Sequence, residues 1–205
     1  MADLRADARR NRDRLVEAAA ALFAERGPDA PLDEVARRAG VGVGTLYRRF
    51  PDRDALVRAV AVTSLRRVVG NARAAAGAAD GWSGLTGFVR ASVGDLRLAA
   101  GLSMTFARTW AGLRLDAEHE ELRDELVALL QQLVDRAHGE GAMRPEVSAG
   151  DLAVLLALVL RPLPGAPPAL VGGAAERHIA IVLEGMRAHP GEPLPGDPLL
   201  LDDLR

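Results

Sequence analysis

The chain contains no cysteine and no lysine, and all 26 of its basic residues are arginine. Without cysteine it cannot form disulfides, use thiol catalysis or hold zinc through thiolates. Without lysine it cannot carry a P-loop lysine or a Schiff-base lysine. Aromatic residues make up only 3% of the 205 positions, so the core must consist mainly of alanine, leucine and valine. That composition favours helices over strands.

Long apolar runs are also missing. The longest, 152–160, has nine residues, whereas a membrane-spanning helix needs about 20. The first 14 residues are charged and lack the apolar segment of a signal peptide. We therefore expect a cytoplasmic protein with no membrane partner, and we predict no cofactor and no metal site.

Charge is distributed unevenly along the chain. Residues 1–73 hold 15 Arg and 10 acidic residues, a net charge of +5, and residues 74–205 carry a net charge of -7. A basic first part joined to an acidic remainder indicates that only the first part meets a polyanion.

Apolar residues recur at helical spacing along most of the chain, and no segment shows the alternation of a strand. The first predicted helix stops at Gly27, a short second helix is closed by Gly40, and a third covers about 43–50. Asp52 is the predicted N-cap of a fourth helix. Further helices are predicted near 82–99, 101–113, 118–140, 149–161 and 174–188, with a loop over 162–173.

These elements predict an all-α protein of about nine helices, with an N-terminal three-helix helix-turn-helix domain and a C-terminal helical bundle. The predicted N-terminal domain covers 1–55 and begins with a flexible basic arm, 1–10. The predicted C-terminal helical domain covers 56–189. A Pro-rich acidic tail, 190–205, is expected to be extended or disordered.

The segment 32–56 has the pattern of a helix-turn-helix. Ala36 stands four residues before Gly40, and Leu46 stands six after it. A small residue lets the two helices approach, glycine supplies the positive φ of the turn, and an apolar residue on the second helix closes the small core. The second helix is short enough to lie in a major groove.

This segment resembles the N-terminal domain of the TetR (tetracycline-repressor-like) family of transcriptional regulators. The similarity rests on Ala39-Gly40-Val41, on Gly44-Thr45-Leu46-Tyr47, on Phe50 and on the upstream helix 15–27. It is close over about 10–60. The remainder matches the family in helix count and acidity, and its closing segment 185–188 is loosely similar to actinobacterial members.

The resemblance implies a sequence-specific regulator that binds a palindromic operator in double-stranded DNA as a homodimer. The residues expected at the DNA are Val43, Gly44, Thr45, Tyr47, Arg48, Arg49, Arg53 and Arg10. Tyr47, Arg49 and Arg53 would contact phosphates, while Val43, Thr45 and Arg48 would face bases or groove walls. For the arginines of the arm, including Arg10, a merely solvated face is an equally good interpretation.

The family resemblance also implies a C-terminal half that dimerises and holds a small-molecule inducer. Two apolar stripes of period i, i+3, i+4, i+7 fit a four-helix interface about a two-fold axis: Leu152, Leu155, Leu156, Val159, Ile179, Val182, Leu183 and Met186. The alternative is that the stripes face their own core. The scarce aromatic and methionine side chains suggest an apolar pocket, although ordinary core packing explains each equally well: Trp82, Phe88, Met104, Phe106 and Trp110.

The favoured function is therefore a ligand-responsive repressor that releases its operator when a small apolar molecule binds. A regulator controlled by a protein partner is an alternative, and the sequence leaves repressor and activator open. A small helical enzyme is a remote alternative. The segments 119–123, 81–85 and 40–45 each fall short of a zinc-protease, nucleophile-elbow or dinucleotide-binding motif by at least one required residue, so we predict no catalytic residues.

Overall fold

The computed structural model describes residues 2–113, 116–161 and 168–204. Within these ranges the chain is all-α, with nine helices and no strand, as the sequence predicts. The helices are α1 (Ala2–Arg26), α2 (Leu32–Arg38), α3 (Val43–Arg49), α4 (Arg53–Ala76), α5 (Gly81–Thr105), α6 (Ala107–Leu113), α7 (Ala117–Gly139), α8 (Ala149–Val159) and α9 (Pro168–Met186). A 3-10 turn, Leu201–Leu204, follows in the tail. None of the helices in the described ranges is long and apolar enough to cross a membrane.

The local stop and start signals act as predicted. Gly27 and Gly40 adopt positive φ angles of 87° and 67° after α1 and α2. Asp52 caps α4 by accepting a hydrogen bond of 2.6 Å from the Ala55 amide. These caps satisfy backbone groups that a helix end leaves without an intrahelical partner.

Three predicted boundaries are wrong. Residues 2–10 belong to α1 and do not form the expected flexible arm, because their Ala, Leu and Arg residues favour a helix. The helix break predicted at 100 is absent, and α5 continues until Thr105, with the break at Phe106. Burial of Leu102 outweighs the low helix propensity of Gly101. The predicted loop 162–173 overlaps α9, which begins at Pro168, a residue suited to a first helical turn. Residues 162–167 lie outside the described ranges.

Two apolar cores divide the molecule. The first joins buried residues of α1, α2, α3 and the start of α4, and it also takes in Leu98 and Leu102 of α5. The second joins α4, α5, α7, α8 and α9. Because α5 contributes to both cores, it connects the helix-turn-helix unit to the rest of the fold. The proposed domain boundary at 55/56 stays a prediction.

The tail lies against α8 in an extended path. The amide of Leu199 donates to Asp151 Oδ1 at 3.2 Å, and its carbonyl accepts from the Ser148 hydroxyl. Arg144, only 8% exposed, donates to the Glu192 carbonyl at 2.8 Å. Hydrogen bonds therefore fix two points of a segment whose composition predicted extended or disordered chain.

Candidate DNA-binding surface and ligand cavity

The helix-turn-helix is closed by a small apolar core. Val35 and Ala36 on α2 and Leu46 on α3 are buried. The turn between them is held by the Val41 amide, which donates to the Ala36 carbonyl at 3.0 Å. Since Leu46 fills the inner face of α3, the outer face of this seven-residue helix is free for another molecule.

The outer face of α3 carries the residues that the sequence assigns to DNA. Val43 is 47% exposed and Tyr47 is 52% exposed, which is high for large apolar and aromatic side chains. Arg48 and Arg49 are exposed beside them. Arg48 Nη2 donates to Thr45 Oγ1 at 2.9 Å, so the half-buried Thr45 helps to hold this guanidinium along the helix. Gly44 is exposed, and a Cβ there would meet open space.

Arg53 lies in a different setting from the one the sequence suggests. It is half-buried at the start of α4, and its Nη1 donates at 2.9 Å to the carbonyls of both Pro28 and Ala30. The guanidinium therefore ties the α1–α2 loop to α4. Its predicted phosphate contact stays a prediction, now in competition with a structural role.

Arg10 stands on the exposed side of α1, next to Asp7, with which it forms an ion pair. Two residues further along, the guanidinium of Arg12 lies over the Phe50 ring, 5.8 Å from its centroid. Phe50 directly follows α3. This cation–π contact sets the first half of α1 beside the end of the recognition helix.

Two ion pairs between α1 and α2 were missed by sequence reasoning. Arg38 donates to both carboxylate oxygens of Glu25, at 2.6 and 2.5 Å, and Arg26 donates to Glu34 at 2.7 Å. The hydrogen bonds from Arg38 lower the pKa of Glu25. The spacing along the chain of 13 and 8 residues carries no local signal, because these contacts depend on how the two helices cross.

A cavity of about 270 Å³ lies between α5, α7 and α8. Its walls are aliphatic apart from one aromatic ring and the hydroxyl of Ser103, and none of the described residues lining it is charged. Ser103 already donates to the Ala100 carbonyl at 2.9 Å. The lining residues are Phe88, Leu96, Ala99, Ala100, Ser103, Leu126, Leu130, Ala153, Leu156, Ala157 and Leu160. Such a space suits a neutral apolar ligand.

The aromatic residues predicted for a pocket do not come together. Phe88 lines the cavity, but Trp82 packs at the edge of the second core, with Arg187 6.0 Å from its ring centroid. Met104 is 42% exposed, and Phe106 packs against the first core. The side chain of Trp110 lies outside the described part of the structure. Trp82, Met104 and Phe106 do not line this cavity, whose walls are mostly small aliphatic residues, and their role in ligand binding stays a prediction.

The predicted dimer stripes are also divided. Five of their eight residues are buried in the chain's own second core, so the alternative interpretation holds for them: Leu152, Leu156, Ile179, Leu183 and Met186. They are at most 5% exposed, and a partner has no access to their side chains. Leu155 is 37% exposed, and Val159 and Val182 are half-buried at the edge of that core.

A different set of apolar side chains forms the outer face of α8 and α9. Leu158 and Ile181 are 58% and 57% exposed. Leu194 and Leu199 of the tail are exposed and line a groove together with Leu155 and Ile181, and Leu200 is exposed beside them in the chain. Six of the nine exposed large hydrophobic residues of the described chain thus gather on α8, α9 and the tail. A clustered apolar surface of this kind is typical of a protein–protein interface.

Comparison with known families accounts for both halves of the chain. The family described as bacterial regulatory proteins, tetR family, matches residues 15–60. The family described as transcriptional regulator SbtR-like, C-terminal domain, matches residues 80–188. A curated relative, an HTH-type transcriptional regulator of Staphylococcus aureus (strain USA300), is 43% identical over 54 residues. That alignment covers 26% of this chain and 29% of the relative, so the chain spans less than a third of the curated relatives it matches.

Solved structures extend the similarity to most of the fold. A TetR transcriptional regulator from Streptomyces coelicolor is 28% identical, with a TM-score of 0.66 over 87% of this chain and 99% of its own. A TetR transcription regulatory protein from Mycobacterium vanbaalenii is 33% identical, with a TM-score of 0.62 over 90% of this chain and 99% of its own. These matches are to regulators and not to enzymes. The two family matches and the shared fold make this chain a transcriptional regulator of the TetR family with an N-terminal DNA-binding domain.

Proposed function

We propose that the protein is a homodimeric, ligand-responsive repressor that binds a palindromic operator and releases it when a small neutral molecule occupies the cavity between α5, α7 and α8. The observation that carries the proposal is the combination, in one chain, of an exposed recognition face on α3 and an apolar cavity between helices that follow the DNA-binding unit. Because a regulator of this kind acts at the chromosome, we also propose a cytoplasmic location.

On DNA, α3 lies in the major groove. Arg48, held by Thr45, is positioned to meet a guanine, and Val43 to meet a thymine methyl. Tyr47 and Arg49 contact phosphates beside it. A good bidentate base contact is worth about 1–3 kcal/mol of discrimination. With Gly44 adding no side chain, part of the specificity comes from DNA shape.

Two copies associate through the outer face of α8 and α9, with Leu155, Leu158 and Ile181 at its centre. A two-fold axis there lets the two α3 helices reach successive major grooves, about 34–36 Å apart. The apolar cluster supports this arrangement, since it is the main exposed apolar surface of the described chain outside α3.

The cavity limits the class of ligand. Its uncharged walls favour a neutral molecule, because an ion would lose its hydration without a partner. A cavity of about 150 Å³ admits benzene, so about 270 Å³ admits a molecule of roughly twice that size. The ligand acts by favouring a conformation in which the two α3 helices no longer fit the groove spacing.

The test begins with DNA from the gene's own upstream region, titrated at several salt concentrations beside a scrambled fragment. Tight binding that prefers the genomic fragment is expected, and Arg49→Ala should weaken binding on all sequences alike. Equal binding to both fragments would contradict an operator in that region.

The ligand part is tested by thermal shift with a library of small neutral compounds. A true inducer stabilises the protein by mass action and weakens operator binding. Ala153→Met fills the cavity and should abolish both effects, whereas Ala128→Met, at an exposed position of α7 outside the cavity lining, should retain them. A compound that binds tightly yet leaves operator affinity unchanged would refute the ligand-responsive mechanism and favour control by a protein partner.

A further inference from the structure

The C-terminal half of α5 has one face on the cavity and another face in the first core. Leu96, Ala100 and Ser103, spaced i, i+4, i+7, line the cavity. On another face of the same turns, Leu98 and Leu102 are buried in the first core together with α1 residues. One stretch of helix is therefore the wall of the cavity and part of the core that supports the DNA-binding unit.

Arg67 of α4 binds to α5 on the side of this second face. Asp95 precedes Leu98 and Leu102 at spacings i, i+3, i+7 and lies on their side of α5. Arg67 donates to Asp95 from Nε at 3.0 Å and from Nη2 at 2.7 Å, and from Nη1 to Glu17 of α1 at 2.9 Å. One guanidinium thus joins three helices: α1, α4 and α5.

Two side chains of this ion-pair cluster are more shielded from solvent than those of an ordinary surface pair, whereas the Glu17 side chain is 63% exposed. The Asp95 side chain is 17% exposed and that of Arg67 is 36% exposed. Arg67 Nη2 also donates to Ser64 at 3.2 Å, and all three guanidinium nitrogens donate, Nε and Nη2 to Asp95 and Nη1 to Glu17. The planar guanidinium binds a carboxylate in a fixed geometry, which a lysine would not do. Movement of Asp95 is therefore expected to displace Arg67 and, through its Nη1, the contact with Glu17.

We propose that Arg67 is a positioning residue that transmits displacement of the α5 cavity wall to α1, and so sets the orientation of the helix-turn-helix according to whether the cavity is filled. Leu98 and Leu102 contribute apolar packing between α5 and the first core. Glu17, Arg67 and Asp95 add hydrogen-bonded ion pairs, which depend on the orientation of the three helices. The inference rests on the proposed ligand response and assigns that response a route through α5.

A side chain can take the place of the unidentified ligand. Ala100→Leu projects from α5 into the cavity and presses on the opposite walls, and Ala100→Val is a milder form should the leucine prevent folding. We expect Ala100→Leu to lower affinity for the genomic fragment about tenfold, within the usual range of allosteric coupling. In an Asp95→Asn background, Ala100→Leu should lower this affinity about threefold or less. In an Asp95→Glu background, the affinity should again fall about tenfold.

Glu125→Gln is the matched control. Glu125 of α7 pairs with Arg73, which lies on α4 like Arg67, so this ion pair joins α4 to α7 and not to α1. In that background the effect of Ala100→Leu should remain about tenfold. The assignment of Arg67 would be overturned if Ala100→Leu lowers operator affinity as much in the Asp95→Asn background as in the wild type. It would also be overturned if Glu125→Gln reduces the effect of Ala100→Leu as much as Asp95→Asn does.

Hydrogen exchange provides a readout that needs no DNA. Ala100→Leu should alter exchange of the α1 amides around Glu17, and Asp95→Asn should suppress that change. A folded Ala100→Leu protein with unaltered α1 exchange would refute the inference even if operator binding fails. Failure of the wild-type protein to prefer the genomic fragment would instead count against the proposed function alone.

Discussion

Replacing Arg53 by methionine separates a structural role from a DNA contact. The change keeps most of the aliphatic stem and removes the guanidinium that donates to the carbonyls of Pro28 and Ala30 at 2.9 Å. Ala30 is 5% exposed, so water cannot fully replace the lost donor on that side. Hydrogen bonds to a charged group contribute about 1.5–3 kcal/mol. Because Arg53 is only half-buried, we expect a loss of about 2 kcal/mol in the free energy of unfolding.

The loss should be visible as a change in melting temperature. For a protein of this size 1 kcal/mol corresponds to about 2–4 °C, so Arg53→Met should melt about 4–8 °C lower by calorimetry. Arg49→Met is the control, since Arg49 is exposed on α3 and a surface change alters stability by about 0.5 kcal/mol or less.

DNA titrations complete the comparison. Removing a phosphate contact lowers the slope of log affinity against log salt by about 1. Arg49→Met should show that change, and Arg53→Met, measured well below its melting temperature, should retain the wild-type slope. An Arg53→Met protein with unchanged melting temperature and a reduced salt slope would refute the structural role and restore the phosphate contact inferred from sequence.

Three further predictions concern the tail, pH and assembly. A methyl group in Gly150→Ala would collide with the backbone of Leu199, so the tail should detach and become sensitive to limited proteolysis, whereas Gly185→Ala, which meets open space, should not change cleavage. Hydrogen bonding by Arg73 lowers the pKa of Glu125 below its ordinary value of 4.5, so the stability from this pair is present at neutral pH and lost as the solution is acidified through the lowered pKa. In urea unfolding at pH 7 and pH 3, Glu125→Gln should therefore lose less free energy of unfolding on acidification than the wild type. An equal loss in the two proteins would contradict the assignment. The wild-type protein should sediment as the proposed dimer and Ile181→Arg as a monomer, and a variant that remains dimeric would exclude the outer face of α8 and α9 as the interface.

The sequence by itself determined the class, the family and the recognition unit. Helix period, the stop at Gly27, the turn at Gly40 and the cap at Asp52 are local signals, and each acts within a few residues of itself. The exposure of Val43 and Tyr47 follows from the same local pattern, because Leu46 must face the small core.

Tertiary structure alone decided which apolar faces meet. Ile179 and Leu183 repeat at helical spacing as an interface helix would, yet they pack inward, because period shows that a face is apolar and not what it packs against. The cavity walls come from α5, α7 and α8, whose lining residues are spread over 88–160. Most of these residues are small and aliphatic, so their composition does not distinguish them from ordinary core residues. Arg67 meets Glu17 and Asp95 across 50 and 28 residues, distances over which no local rule operates, so only the packing of α1, α4 and α5 brings the three charges together.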